Sequence, residues 1–242
     1  MTKGCPLAYI NDQLVIKKVR ALSAHAPTRQ RRKDARPQEL LDAALALFVE
    51  KGFAATRAEE VAQRAGVSKG TLYLYYPSKE ELLKAVIAQF ISARIQQTAV
   101  QVEQYQGPLA PLLTETLVQW WQEMVESPAS GTFKLMIGEA RNFPEIAAFY
   151  VREVIEPGHQ LVAGILTRGI VAGEFRPVDV ESAVHSLLLP MIMVCTHKHA
   201  FGACTTNAID APKFIAEHVQ LVVRGLLKTP PRIAAAPRRK TP

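Results

Sequence analysis

Cysteine is scarce in this chain: Cys5, Cys195 and Cys204 are the only three among 242 residues. So sparse and odd a set makes no disulfide framework, and a reducing cytoplasm is the expected compartment. No apolar run reaches the roughly 20 residues that a bilayer-spanning helix needs, and the N-terminus lacks the charged-then-apolar layout of a secretory signal. No alternating apolar–polar stretch exceeds about five residues, so no sheet is expected. Enzymatic signatures are missing too, with no phosphate-cradling glycine loop, nucleophile elbow or HExxH pair.

What is present is an apolar-rich globular sequence, 48% hydrophobic and 21% charged, long enough to bury a sizeable core. The formal net charge of +7 is unevenly spread. Residues 1–40 hold nine Lys/Arg against three Asp/Glu, and the last fourteen residues hold four bases and no acid. Residues 80–228 hold eleven bases against fifteen acids. Positive charge is therefore concentrated at the two ends, as for a nucleic-acid-facing end on a mildly acidic body, although basic tails also serve solubility alone.

The stretch Thr56 to Lys79, TRAEEVAQRAGVSKGTLYLYYPSK, predicts two short helices across a tight turn. Thr56 suits an N-cap with Glu59 completing a capping box. Val61, Ala62 and Ala65 repeat at helical spacing, and Gly66 ends the first helix. Ser68 caps the second, which closes at Pro77. Leu72 and Tyr76 fit its inner face, leaving Lys69, Gly70, Thr71, Tyr73 and Tyr75 outside. That outer set offers what a DNA groove takes: a cation, a hydroxyl with a methyl, and phenols that reach phosphates. Gly70 costs the helix about 1 kcal/mol against alanine, and is tolerable where another backbone comes close. Periodicity alone leaves open a helical hairpin whose tyrosines simply pack.

The run AEEVAQRAGVSKGTLYLYYPSKEELLKAV, with the preceding LFVEKGFAATRAEEVA, resembles the N-terminal helix-turn-helix of the TetR family of transcriptional regulators, over about residues 34–94. Tyr76 stands where a phenylalanine is commoner. Leu74 occupies a position often aromatic or polar in relatives, at the edge of the reading face. The resemblance implies an all-α fold: an N-terminal three-helix DNA-binding domain followed by a larger helical ligand-binding and dimerisation domain. It implies DNA contacts at Thr56, Arg57, Ser68, Lys69, Gly70, Thr71, Tyr73, Tyr75 and Lys79. Arg57 and Lys79 are expected on phosphates, Lys79 at a helix N-terminus, and Lys69 and Tyr73 on bases.

In chain order, residues 1–33 are expected as a flexible basic extension whose Arg29, Arg31, Arg32 and Lys33, with Arg36 beyond, form an arm for phosphates or a minor groove, or else a solvated lead-in to the first helix. A first helix is expected over 37–51 with Pro37 at its first position, and a long one from Lys79 to about Glu103. Further helices are expected over 110–126, 131–141, 145–156, 157–172, 180–199 and 211–228, the whole of 95–228 being regulatory and 229–242 a basic flexible tail. Helices 157–172 and 211–228 are apolar over so much of their circumference that both need cover from more than one side. They are the expected homodimer surface, as the resemblance also implies; burial within one chain is the alternative.

Phe90, Trp120, Trp121, Met124, Met136, Phe149, His185, Met191 and Met193 are candidate walls of an apolar effector pocket, though each also makes ordinary core. Pro190 is expected to kink its helix beside Met191. Cys195, His197, His199 and Cys204 spell CxHxHxxxxC, which matches no strong metal signature; no metal and no cofactor is expected. The resulting expectation is a cytoplasmic, homodimeric repressor released from a palindromic double-stranded DNA operator by a small apolar effector, with no enzymatic activity and no membrane partner. The rival is a helical ligand carrier or scaffold that does not read DNA.

Overall fold

The computed structural model describes residues 29–202, 204 and 209–228, with side chains from Arg36 onward. Residues 1–28 of the expected extension and the expected tail 229–242 lie outside these, and residues 29–33, expected as flexible, are helical. The chain divides into two compact units at Glu39/Leu40. Among described residues the first holds only the opening turns of the leading helix.

Helix α1 runs Arg29–Lys51, α2 Ala58–Arg64 and α3 Lys69–Tyr75. Pro37 was expected to open α1, yet the helix begins two turns earlier and passes through it, losing one intrahelical hydrogen bond. The spacing predicts a small-domain core of Leu41, Ala44, Leu45 and Phe48 on Val61, Leu72 and Tyr76; all are buried but Tyr76, which packs half-buried against it, and Leu40 and Leu82 join them. Gly52 (φ 86°) and Gly66 (φ 66°) end α1 and the α2 turn in the left-handed region that a side chain would strain.

A rod follows: α4 (Lys79–Ile87), a wider π turn (Ala88–Ser92), then α5 (Ala93–Gln104). Next come α6 (Leu109–Glu126), a 3-10 turn (Pro128–Ser130) and α7 (Gly131–Glu139). Helix α8 (Pro144–Tyr150) continues through a second π turn (Val151–Ile155) into α9 (Glu156–Val171). Two separate helices, 145–156 and 157–172, are expected here from the sequence. The wider turn sits directly before Pro157, where the missing N–H would otherwise interrupt a regular ladder. Helices α10 (Val180–Ala200) and α11 (Ala211–Leu226) complete the fold, their N-termini capped by Asp179 and Asp210.

Helix α6 packs on α11, α7 on α10, and α9 on α5, α6 and α10. The one bridge among described residues pairs Phe175 with Leu227, tying the end of α11 to the turn after α9. From that turn the Glu174 carboxylate accepts from the Leu109 and Ala110 N–H groups (2.8 and 3.2 Å) at the start of α6.

Two expectations about faces need correcting. Helix 157–172 was expected on a partner surface; Val162, Ile165, Leu166 and Gly169 are instead buried inside the chain, because α5, α6 and α10 surround it. Apolar side chains left outside include Leu189 and Met193 on α10 and Phe214 and Leu221 on α11, while on α9 itself Val171 at its C-terminal end is exposed. Helix α10 is long and apolar enough by composition to cross a bilayer, where no such run had been expected. One of its faces (Val184, Leu187, Met191, Cys195) nevertheless fills the core, and its end carries His197, Lys198 and His199.

Candidate nucleic-acid interface and cavity

Helix α3 is only two turns long and is held by its ends and one anchor. Ser68 Oγ accepts from the Thr71 N–H (3.1 Å) and lies 2.9 Å from Thr71 Oγ1, so the two hydroxyls close the cap together. Leu72 is fully buried, and Tyr75 and Tyr76 pack half-buried on the core. Burial pushes the Tyr76 phenol up, which keeps it neutral. Tyr75 had been expected outside; the pull of the core brings it to the edge instead. What remains outward is Lys69, Gly70, Tyr73 and Leu74, the last 81% exposed. Lys69 Nζ lies 5.7 Å from the Tyr73 ring centre and pairs with Glu59 on α2. That hydrogen bond holds the lysine up and the Glu59 carboxyl down from their ordinary pKa values.

Two expected contacts are placed elsewhere. Thr56 is not the N-cap of α2; Arg57 is, and its N–H donates to Glu60 Oε2 (3.1 Å). Thr56 is buried, its hydroxyl within reach of the Gly52 and Leu47 carbonyls (2.7 and 3.2 Å), so it ties the loop after α1 rather than facing out. Lys79 is also turned inward. Its Nζ donates to the carbonyls of Phe53, Ala54 and Thr56 (2.8, 3.2 and 3.1 Å) and sits 4.5 Å from the Phe53 ring centre. Three backbone carbonyls of the loop outcompete solvent for one ammonium group. Arg57 is exposed at the start of α2.

The same loop meets the regulatory helices. Phe53 packs edge-on against Phe143 (4.7 Å), and the Ala54 N–H donates to Glu139 Oε1 (3.3 Å) at the end of α7. At the other end of α7, a Cβ on Gly131 would lie 2.4 Å from a Val49 methyl, so only glycine permits that approach to α1.

Between α6, α7, α9 and α10 lies a cavity of about 370 Å³. Trp120, Trp121, Met136 and His185 line it as expected from the sequence. Met124 and Met191 do not, being fully buried core. Phe90 and Phe149 pack half-buried against the core, Phe149 under the Arg152 guanidinium (5.5 Å), and Met193 is exposed. The walls that were missed are chiefly aliphatic: Leu117 on α6, Val154 and Ile155 in the second π turn, Val162 and Ile165 on α9, Ile192 on α10. For Val162 and Ile165 the signal was the wide apolar arc of 157–172, which is assigned to a partner on sequence alone.

The CxHxHxxxxC residues do not converge. Cys195 is buried, its thiol pushed up to about 12 by burial. His199 Nε2 lies 2.8 Å from Ser130 Oγ, and burial holds its pKa down. Among the described residues no three metal-ligating side chains cluster.

A family model described as bacterial regulatory proteins, tetR family, matches residues 40–86. One described as the tetracyclin repressor-like C-terminal domain matches residues 106–209. The transcriptional repressor KstR2 of Rhodococcus jostii is 30% identical over 157 residues, 64% of this chain and 76% of that protein. The regulator RutR of Escherichia coli K12 is 28% identical over 183 residues, 75% of this chain and 81% of that protein. Among solved structures, FadR from Bacillus subtilis in complex with stearoyl-CoA matches with a TM-score of 0.66 at 20% identity, covering 78% of this chain and 98% of that one. At that identity the likeness is one of fold.

Proposed function

The chain belongs to the tetR family of bacterial regulatory proteins and is a DNA-binding transcriptional regulator; we propose that it works in the cytoplasm as a homodimeric repressor that a small apolar effector releases from a palindromic operator. The observation that carries the reading is the division of labour around α3. Leu72, Tyr76 and the Ser68 cap fix the helix, while Lys69, paired with Glu59, and Gly70, Tyr73 and Leu74 lie on its outer face, where a groove would meet them.

In this reading Lys69 and Tyr73 reach base edges, Leu74 offers an apolar contact to a thymine methyl, and Arg57 with the Ser68 and Thr71 hydroxyls sits on the backbone. Residues 40–94 form the DNA-reading unit and 95–228 the effector and partner unit, the partner face being α10 with α11. Two such units read two half-sites about one helical turn apart, which supplies the specificity that a seven-residue helix lacks. An effector that prefers the spacing unfit for DNA shifts the population by its differential affinity for the two states and by no more. Catalysis has no part in this scheme.

Selection of binding sites from random duplex DNA at about physiological salt tests it. An enriched inverted repeat is expected. Sequence-indifferent binding that vanishes as salt rises would leave the ligand-carrier reading in its place.

A further inference from the structure

We infer, resting on the effector reading above, that the cavity takes a neutral, hydrocarbon-rich molecule whose single polar end leaves past His159 and His185, and that it rejects anions and nucleotide thioesters. The depth of the cavity is mostly carbon: Leu117, Trp121, Phe133 and Ile165 are buried there, and the buried Tyr150 and the Trp120 indole add only neutral polar groups to its walls. Its exposed rim is Ile137, Ile155 and Leu189, at 63%, 51% and 56%. Not one of the described lining residues is Lys, Arg, Asp or Glu. A carboxylate or phosphate drawn inside would shed its water and find no countercharge, which is the most unfavourable exchange a carbon wall can present. A hydrocarbon pays no such penalty, and each methylene it buries strengthens binding by up to about fourfold. Two imidazoles also line the cavity, on α9 and α10, 5.5 Å apart and edge-on, where a hydroxyl or carbonyl at the outer end of the molecule meets a donor or an acceptor. A volume of about 370 Å³ suits one small molecule.

The chain's two tryptophans, Trp120 and Trp121, both line this cavity, so intrinsic fluorescence of the full chain reports its occupancy. The probes are 1-hexanol, 1-octanol, 1-decanol, decanoate and decanoyl-CoA, titrated at pH 8. The alcohols are expected to change the fluorescence with affinity rising along the series, and decanoate and decanoyl-CoA to bind at least tenfold more weakly than decanol. Gly158→Phe projects a ring into the space and is expected to abolish the response; a Cβ there first meets Ile95 Cδ1 at 3.9 Å, an ordinary contact. Ile155→Arg, a change at the exposed rim, is expected to raise decanoate affinity relative to decanol. Decanoate or decanoyl-CoA binding as tightly as decanol would overturn the assignment, and so would silence toward all five probes. Operator binding is followed separately. Decanol that fills the cavity of the wild type but not of Gly158→Phe, and leaves DNA affinity unchanged, would uphold the ligand class and sink the effector reading.

Discussion

Lys79 shows how one side chain can be read two ways. At the start of a helix beside a DNA-reading unit it suggests a phosphate contact, but its ammonium is already committed to three carbonyls of the loop between α1 and α2. Lys79→Met is therefore expected to lower unfolding free energy by about 1.5–3 kcal/mol, the range for hydrogen bonds to a charged donor, as followed by urea denaturation. The salt dependence of operator binding should keep its slope. A slope shallower by about one would instead return Lys79 to the phosphates. Arg57→Ala and Lys69→Ala separate along the same axis. Arg57→Ala should weaken all sequences alike and flatten the slope by about one. Lys69→Ala should cost about 1–3 kcal/mol of discrimination at one base pair, measured by competition between operator variants. Lys69 leaves Glu59 to do this, so Glu59→Gln is expected to tighten binding.

At the scale of elements, the turn after α9 depends on a glycine for a reason visible only in three dimensions. A Cβ on Gly169 would lie 2.1 Å from the ring of Phe175, itself buried in the core. Gly169→Ala is expected to destabilise by about 1–3 kcal/mol. Gly164→Ala on the same helix, where nothing lies within 4 Å, should be neutral or stabilising by up to about 1 kcal/mol; thermal unfolding of the pair tests both. This contrast marks where sequence reading stops. The Ser68 cap, helix ends at Gly52, Gly66 and Gly173, and buried stripes such as Leu41 to Phe48 follow from local chemistry and are legible in the sequence, whereas the cap of α2 falls one residue later than expected. What α9 packs against is not local, and a wide apolar arc signals only that cover is needed, so the wall of a cavity was taken for a partner face. The π turn before Pro157 hid for a related reason: a proline predicts a break, and only the surrounding helices decide that the chain runs on. Thr56 and Lys79 were misplaced because both face acceptors on a loop whose path the sequence does not state.

For the whole molecule the open issue is how two recognition helices are held at one spacing. Helices α10 and α11 lie side by side, His218 Nε2 reaching the Ser186 carbonyl at 2.9 Å. Their outer faces carry Leu189, Met193, Phe214 and Leu221, the last 72% exposed. An apolar strip on two adjacent helices needs cover, and a two-fold partner supplies it with the same strip. Leu221→Glu sets like charges against each other across such an axis while leaving the chain's own core untouched. The variant is expected to sediment as a monomer with unchanged helical circular dichroism, and to lose affinity for the full operator while keeping the weak binding of one half-site. A Leu221→Glu chain that still dimerises and still grips the palindrome would move the partner face elsewhere. The spacing of the recognition helices, and with it the route by which the cavity speaks to DNA, would then have to be sought on another pair of helices.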